Sequence, residues 1–263
     1  MTSLETSLRA LRDGGRKAFV PYFMAGASKD WLRHVEAAAH AGADAIEIGL
    51  PFSDPMIDGV VIQEAALRSR ERGTSLESVV SELDNLDVDV PLIAMTYYNV
   101  VLHGGLERSA SLLHGAHVTG VIIPDLPIEE AFDWESVCAG HDLAPVFLVA
   151  PSTPPDRLKM IAQRTKGFCY AQGRMAVTGT PGQRSDGGAI ASAVRAVSDV
   201  PVYVGIGISS PAQASEAASK SDGAIVGAAL VELLLRGALA HDVETFVTSF
   251  RHALDHGPET ARA

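Results

Sequence analysis

The 263-residue sequence predicts an α/β fold: a (β/α)8 TIM barrel forming a single domain over residues 1–263, with an extra N-terminal helix. Its length matches the roughly 250 residues that such barrels use. Short apolar runs alternate with amphipathic segments, the pattern of parallel strands joined by crossover helices. No Gly/Ser-rich linker and no tandem repeat divides the chain, which favours one closed barrel over two domains. An open doubly wound sheet is the competing topology.

Eight segments read as strands: Ala18–Pro21, Ala45–Ile48, Pro91–Met95, Gly120–Ile123, Pro145–Val149, Gly167–Tyr170, Pro201–Val204 and Gly223–Val226. Each is brief and apolar, as expected of strands covered on both faces. Helix signals lie between them. In WLRHVEAAAHAGA, Leu32, Val35 and Ala39 make one stripe and Gly42 ends the helix. Thr74 with Glu77 forms a capping box ahead of SLESVVSEL. Thr153 before Pro154, and Ser210 before Pro211, each place a capping hydroxyl ahead of a proline in the first turn.

Composition narrows the function. Hydrophobic residues make up 47% of the chain, and 21 basic against 32 acidic residues leave a formal charge of −11 with no Lys/Arg run. Nucleic acid and anionic membranes are poor partners for such a surface. The start, MTSLETSLRALRDGG, lacks the apolar core of a signal peptide, and nowhere do about 18 apolar residues run together. A cytoplasmic location is therefore expected. Cys138 and Cys169, the only cysteines, lie in apolar contexts and read as reduced core thiols. His34, His103 and His114 form no ligand constellation, so no metal site is expected.

A barrel of this kind carries its chemistry at the carboxyl ends of its strands. In AIEIGLPFSDPMIDG, residues 45–59, alternation sets Ile46 and Ile48 on one face and Glu47 on the other, which points into the barrel. A carboxylate held away from water is costly without a purpose, and desolvation raises its pKa toward neutrality. A structural glutamate paired with a buried donor is the bland alternative. The following loop is stiffened by Pro51 and Pro55 and carries Asp54 and Asp58. Asp58 before Gly59 reads either as an aimed carboxylate or as a turn residue bonded to its own backbone.

The glycine-rich run 170–188 is too long for an ordinary connection and reads as a lid or as a disordered insertion. Within it, Val177-Thr178-Gly179 offers a hydroxyl and a close backbone approach. Gly205-Ile206-Gly207 through Ser210, and Gly227-Ala228-Ala229, follow the last two strands. Phosphate sites are commonly built there from glycine N–H groups and a helix amino end, although tight turns alone also explain Gly207 and Gly227.

The segment ADAIEIGLPFSDPMIDGVVIQ resembles the signature of the tryptophan synthase α-subunit family, E-x-G-x-P-F-S-D-P-x-x-D-G. The likeness continues, in order, through AFVPY (18–22), MTYYN (95–99), PDLPIEE (124–130), FLVAPSTP (147–154), AVTG (176–179), GIGISSPAQ (205–213) and IVGAALV (225–231). The resemblance implies a lyase of tryptophan biosynthesis that splits indole-3-glycerol phosphate into indole and glyceraldehyde 3-phosphate. It implies that Glu47 and Asp58 are the catalytic carboxylates. Phosphate would rest on backbone groups of Gly179, Gly207, Gly227 and Ala228, while Tyr22, Ile62, Tyr97 and Ile206 line the indole pocket and Tyr170 and Thr178 lie near the acids.

The same resemblance implies no cofactor in this chain and a pyridoxal-phosphate β-subunit partner in an α2β2 complex, faced by Pro51, Asp54, Asn99 and Pro127. Ala27-Ser28, Val60, Gly173, Ala176 and Ala228 depart from the usual pattern. Ala228 replaces a common serine, which removes one hydroxyl donor and leaves the backbone donors. Three other readings compete: a stand-alone lyase releasing free indole, which would keep the same two acids; a different phosphate-sugar barrel, against which the spacing of Glu47, Asp58 and the lid argues; and a non-catalytic subunit that activates a partner, against which the retention of both acids weighs.

Overall fold

The computed structural model describes residues 2–173, 187–205 and 207–257. Its strand segments are β1 (Ala18–Met24), β2 (Ile46–Gly49), β3 (Leu92–Met95), β4 (Val118–Ile122), β5 (Ala144–Val146), β6 (Leu148–Val149), β7 (Cys169–Gln172), β8 (Val202–Gly205) and β9 (Gly223–Val226). All pair in parallel, in the order β5-β4-β3-β2-β1-β9-β8-β7-β6. The two ends of that order are consecutive in the chain. β5 and β6 are therefore halves of one strand, interrupted at Phe147, that pairs with β4 on one side and β7 on the other. The Tyr170 amide donates to the Phe147 carbonyl at 3.0 Å across the closure. The ring is shut, so the fold is the (β/α)8 TIM barrel and the doubly wound alternative is set aside.

Strand alternation sorts the apolar residues into two cores. Val20, Ile93, Ile122, Val146, Tyr203 and Ile225 pack inside the barrel, whereas Phe19, Ile46, Ile48, Val121, Val202 and Val226 pack outward under the helices. With both faces covered, the strands need no polar side. The expected N-terminal helix spans Ser3–Asp13, capped by Thr2, whose Oγ1 accepts the Glu5 amide at 3.2 Å. Its Leu4 and Leu8 enter the barrel interior and plug the amino-terminal end.

Two glycines make room for that plug. A Cβ on Gly120 or on Gly167 would lie 2.5 or 2.7 Å from Leu4 Cδ2, and Gly167 also holds φ +75°. Gly167→Val is therefore expected to destabilise the protein by about 2–4 kcal/mol through overpacking and backbone strain. A urea unfolding midpoint equal to that of the parent chain would show that the plug is not tightly fitted.

Several caps need correction. The capping box sits one residue beyond Thr74: Ser75 Oγ accepts the Ser78 amide at 3.3 Å and the Ser75 amide donates to Ser78 Oγ at 2.9 Å. Thr74 is withdrawn from that role because its amide closes the preceding turn on the Ser69 carbonyl, and Glu77 pairs with Arg108 instead. Thr153 accepts the Ala150 amide, so Pro154 rather than Thr153 precedes the helix Pro155–Arg164. Ser210 does cap its helix, Pro211–Ser219, accepting the Gln213 amide at 3.3 Å. In Trp31–His40 the buried face is Trp31, His34, Val35, Ala37 and Ala38, with Leu32 and Ala39 as partly buried flanks. Cys138 and Cys169 are buried free thiols. Among the described residues no helix is long and apolar enough to cross a membrane.

Candidate active site

Glu47 is the inward residue of β2, set in register with Tyr22 of β1 and Ile93 of β3. It is 1% exposed, and its Oε2 has no hydrogen-bond partner among the described residues. Burial, reinforced by the charge of Asp58, pushes its pKa up to about 8. A structural glutamate would be matched to a donor. A buried carboxyl with a pKa raised this far is able to exchange a proton near neutral pH.

Asp58 reaches the same compartment from the loop after β2. The loop is pinned at both ends: the Leu50 amide donates to the Met95 carbonyl at 2.8 Å, the Asp58 amide to Pro55 at 3.1 Å, and Gln63 Nε2 to the Asp58 carbonyl at 2.8 Å. Gly59 then opens the helix Val60–Glu71. The Asp58 backbone closes a turn, while its side chain is bonded to Tyr97, whose Oη donates to Oδ2 at 2.9 Å. Burial raises the pKa of Asp58 while the Tyr97 bond lowers it.

Tyrosines surround the two acids. Tyr22 and Tyr170 are buried, and burial together with the charges of Glu47 and Asp58 holds both phenols well above their ordinary pKa. Their hydroxyls fit because β2 and β8 end in glycine: a Cβ on Gly49 would collide with the Tyr22 hydroxyl, and one on Gly205 with that of Tyr170. Ile62 packs with Tyr22, Met24 and Val231 in an apolar cluster beside the acids. Gly227 lies against Tyr22, where an added Cβ would be 3.7 Å from the tyrosine Cβ. Sequence reasoning missed Gly49 and the role of Gly205, although a glycine inside a strand signals a close approach. It also missed Phe52, which stacks on Tyr97 with ring centroids 5.0 Å apart.

The late-strand glycine turns are where the sequence placed them. Gly207 takes φ +79°, and Gly227 caps the helix Ala228–Leu235. The first-turn amides of Ala228 and Ala229 thus face the carboxyl end of the barrel, an arrangement suited to an anion. Thr178, Gly179 and Ile206, with Val177, Ala176 and most of the glycine-rich run 170–188, lie outside the described residues.

Asp54, Asn99 and Pro127 are exposed and Pro51 is half-buried. They sit in the segments after β2, β3 and β4, on the carboxyl face beside the Asp58 loop. The Tyr98 amide donates to Asp125 at 2.8 Å and so ties two of those segments together. Among the described residues no group of three or more His, Cys, Asp or Glu is placed to hold a metal ion. The chemistry available is proton exchange at Glu47, stabilisation of positive charge by Asp58, and anion binding at helix amino ends.

Comparison with known proteins identifies the family and the fold. Residues 8–255 match the family model described as tryptophan synthase alpha chain. A tryptophan synthase alpha chain of Natronomonas pharaonis is 42% identical over 233 residues, covering 84% of this chain and 83% of the relative. That of Chloroflexus aggregans is 39% identical, covering 90% and 91%. Among solved structures, a Mycobacterium tuberculosis tryptophan synthase superposes with a TM-score of 0.90 at 33% identity, covering 97% of this chain and 99% of the other. The tryptophan synthase subunit alpha of Legionella pneumophila superposes at 0.87 with 29% identity, over 97% and 99%.

Proposed function

The chain belongs to the tryptophan synthase alpha chain family, and from that premise we propose that it splits indole-3-glycerol phosphate with Glu47 and Asp58 as its catalytic pair. The activity is that of a carbon–carbon lyase in tryptophan biosynthesis. One observation carries the residue assignment: an unpartnered, buried carboxyl with a pKa near 8 shares a compartment with a second carboxylate.

The reaction is a retro-aldol cleavage. Protonated Glu47 gives its proton to indole C3, and the resulting cation is centred on the ring nitrogen, where anionic Asp58 accepts the N–H and stabilises the charge. The Glu47 carboxylate then takes the proton of the adjacent side-chain hydroxyl. As the carbonyl of glyceraldehyde 3-phosphate forms, the C3–carbon bond breaks and its electron pair returns to the ring. Indole leaves and Glu47 is protonated again, so no proton is gained or lost. A pKa near 8 suits a group that must be an acid in one step and a base in the next.

In this reading Tyr22, Ile62, Tyr97 and Ile206 enclose the indole, and Tyr170 and Thr178 lie beside the acids. The phosphate rests on amides of Gly179, Gly207, Gly227 and Ala228. The chain works as a single cytoplasmic domain without a cofactor of its own. A pyridoxal-phosphate β subunit would dock on the face carrying Pro51, Asp54, Asn99 and Pro127, and their position on exposed segments supports that assignment.

The purified chain, with and without a β subunit, is expected to release indole from indole-3-glycerol phosphate. Indoleglycerol lacking the phosphate should show kcat/KM lower by about 100-fold or more, because remote binding energy holds the scissile bond between the acids. Equal efficiency for the two substrates would remove the phosphate site. A basal rate indifferent to a β subunit would favour the stand-alone lyase, and no cleavage under either condition would leave the non-catalytic subunit.

A further inference from the structure

Tyr97 lies just beyond β3, yet its recorded side-chain partners all belong to the loop after β2. Its Oη accepts the Ile57 amide at 3.1 Å and donates to Asp58 Oδ2 at 2.9 Å. Its ring stacks on Phe52 of the same loop, with the planes 24° apart. Phe52, Ile57 and Asp58 of the loop thus converge on this one side chain.

The direction of these bonds has a chemical meaning. A phenol carries a single proton, and a backbone amide only donates. The Ile57 amide therefore occupies an acceptor position of the hydroxyl, and the phenolic proton is committed to Asp58. A hydrogen bond donated to a carboxylate favours its ionised form. Among the described residues, the other titratable groups in electrostatic contact with Asp58 are Glu47 on β2, Tyr22 on β1 and Tyr170 on β7, all of them neutral or negative. Among the described residues, the Tyr97 hydroxyl is thus the group that opposes the effect of burial on Asp58.

We propose that Tyr97 is a positioning residue for the cleavage reaction: its hydroxyl, fixed by the Ile57 amide and the Phe52 ring, holds Asp58 as an oriented anion with Oδ1 directed to the substrate N–H. This goes beyond lining the indole pocket and rests on the role given to Asp58 above. The carboxylate is prepared before substrate arrives, so no reorganisation is needed when positive charge develops on the ring.

Tyr97→Phe keeps the ring and its stack on Phe52 and deletes the hydroxyl, and with it both the proton given to Asp58 and the acceptor of the Ile57 amide. The variant should lose about tenfold or more in kcat, with KM within about twofold, since the interaction matters when charge develops. The acid limb of its kcat/KM profile should move to higher pH, because Asp58 keeps its burial and loses its donor. Single-turnover rates at high enzyme concentration extend the comparison to Asp58→Asn, where Tyr97→Phe should add no further loss. An unmoved acid limb, or the same fold-loss on both backgrounds, overturns the proposal and assigns Tyr97 a purely structural part. Wild-type turnover in Asp58→Asn alone would instead strike at the Asp58 assignment, so the two failures are separable.

Discussion

Glu47→Gln is expected to lower turnover by about 10³-fold or more, because in the proposed mechanism the same carboxyl serves two proton transfers, each worth roughly 10²- to 10⁴-fold. Glutamine matches the shape and can neither give nor take the proton. Substrate binding should survive, since the phosphate and indole contacts proposed above are made by other residues. Stability should change in the opposite direction to activity. The carboxyl titrates near its ordinary 4.5 when unfolded and near 8 when folded, so between those values the folded state binds more protons and stability falls as pH rises. The full penalty, roughly 5 kcal/mol for a shift of that size, is present above pH 8. Glu47→Gln should therefore unfold at higher urea concentration than the parent at pH 8.5 and at a similar concentration near pH 4. A variant that is less stable than the parent at pH 8.5 would identify Glu47 as a structural residue.

What the sequence made legible depended on how far each signal travels along the chain. The inward aim of Glu47 follows from the two-residue repeat around it, which is local, and the structure bears it out in the register with Tyr22 and Ile93. The Asp58–Tyr97 bond joins residues 39 apart, and nothing in either segment announces the other until the barrel brings the ends of β2 and β3 together. The glycines at 49 and 205 are visible as glycines in strands, but the tyrosine hydroxyls that need their missing side chains come from β1 and β7. The apolar run 145–149 reads as one strand because no local feature marks the point at which its pairing passes from β4 to β7. The capping box was misplaced by one residue because Thr74 and Ser75 both carry a capping hydroxyl, and only the bond from the Thr74 amide to Ser69 assigns Thr74 to the turn before. The turns at Gly207 and Gly227 are legible as anion-site candidates from their place after the last two strands, whereas the roles expected of the pocket residues are implied by the family motif and not by periodicity.

Asp58→Asn should reduce kcat by about 10²- to 10³-fold with little change in KM, the range associated with roughly 3–4 kcal/mol of electrostatic stabilisation in a buried site. Asparagine fills the same space, and its side-chain oxygen still accepts from Tyr97, so the contacts of the loop with that ring remain. What disappears is the negative charge opposite the developing indolenine cation. A second consequence tests whether the two acids share one compartment. The charge of Asp58 is part of what raises the pKa of Glu47, so neutralising it should let that pKa fall. The first step needs Glu47 protonated, and wild-type activity should therefore decline as pH rises through about 8. In Asp58→Asn the alkaline limb of the residual activity should move to lower pH, although no group of Glu47 itself has been altered. An alkaline limb at the wild-type position would mean that the carboxylates do not interact across a common cavity, and a single-site mechanism built on both would no longer stand.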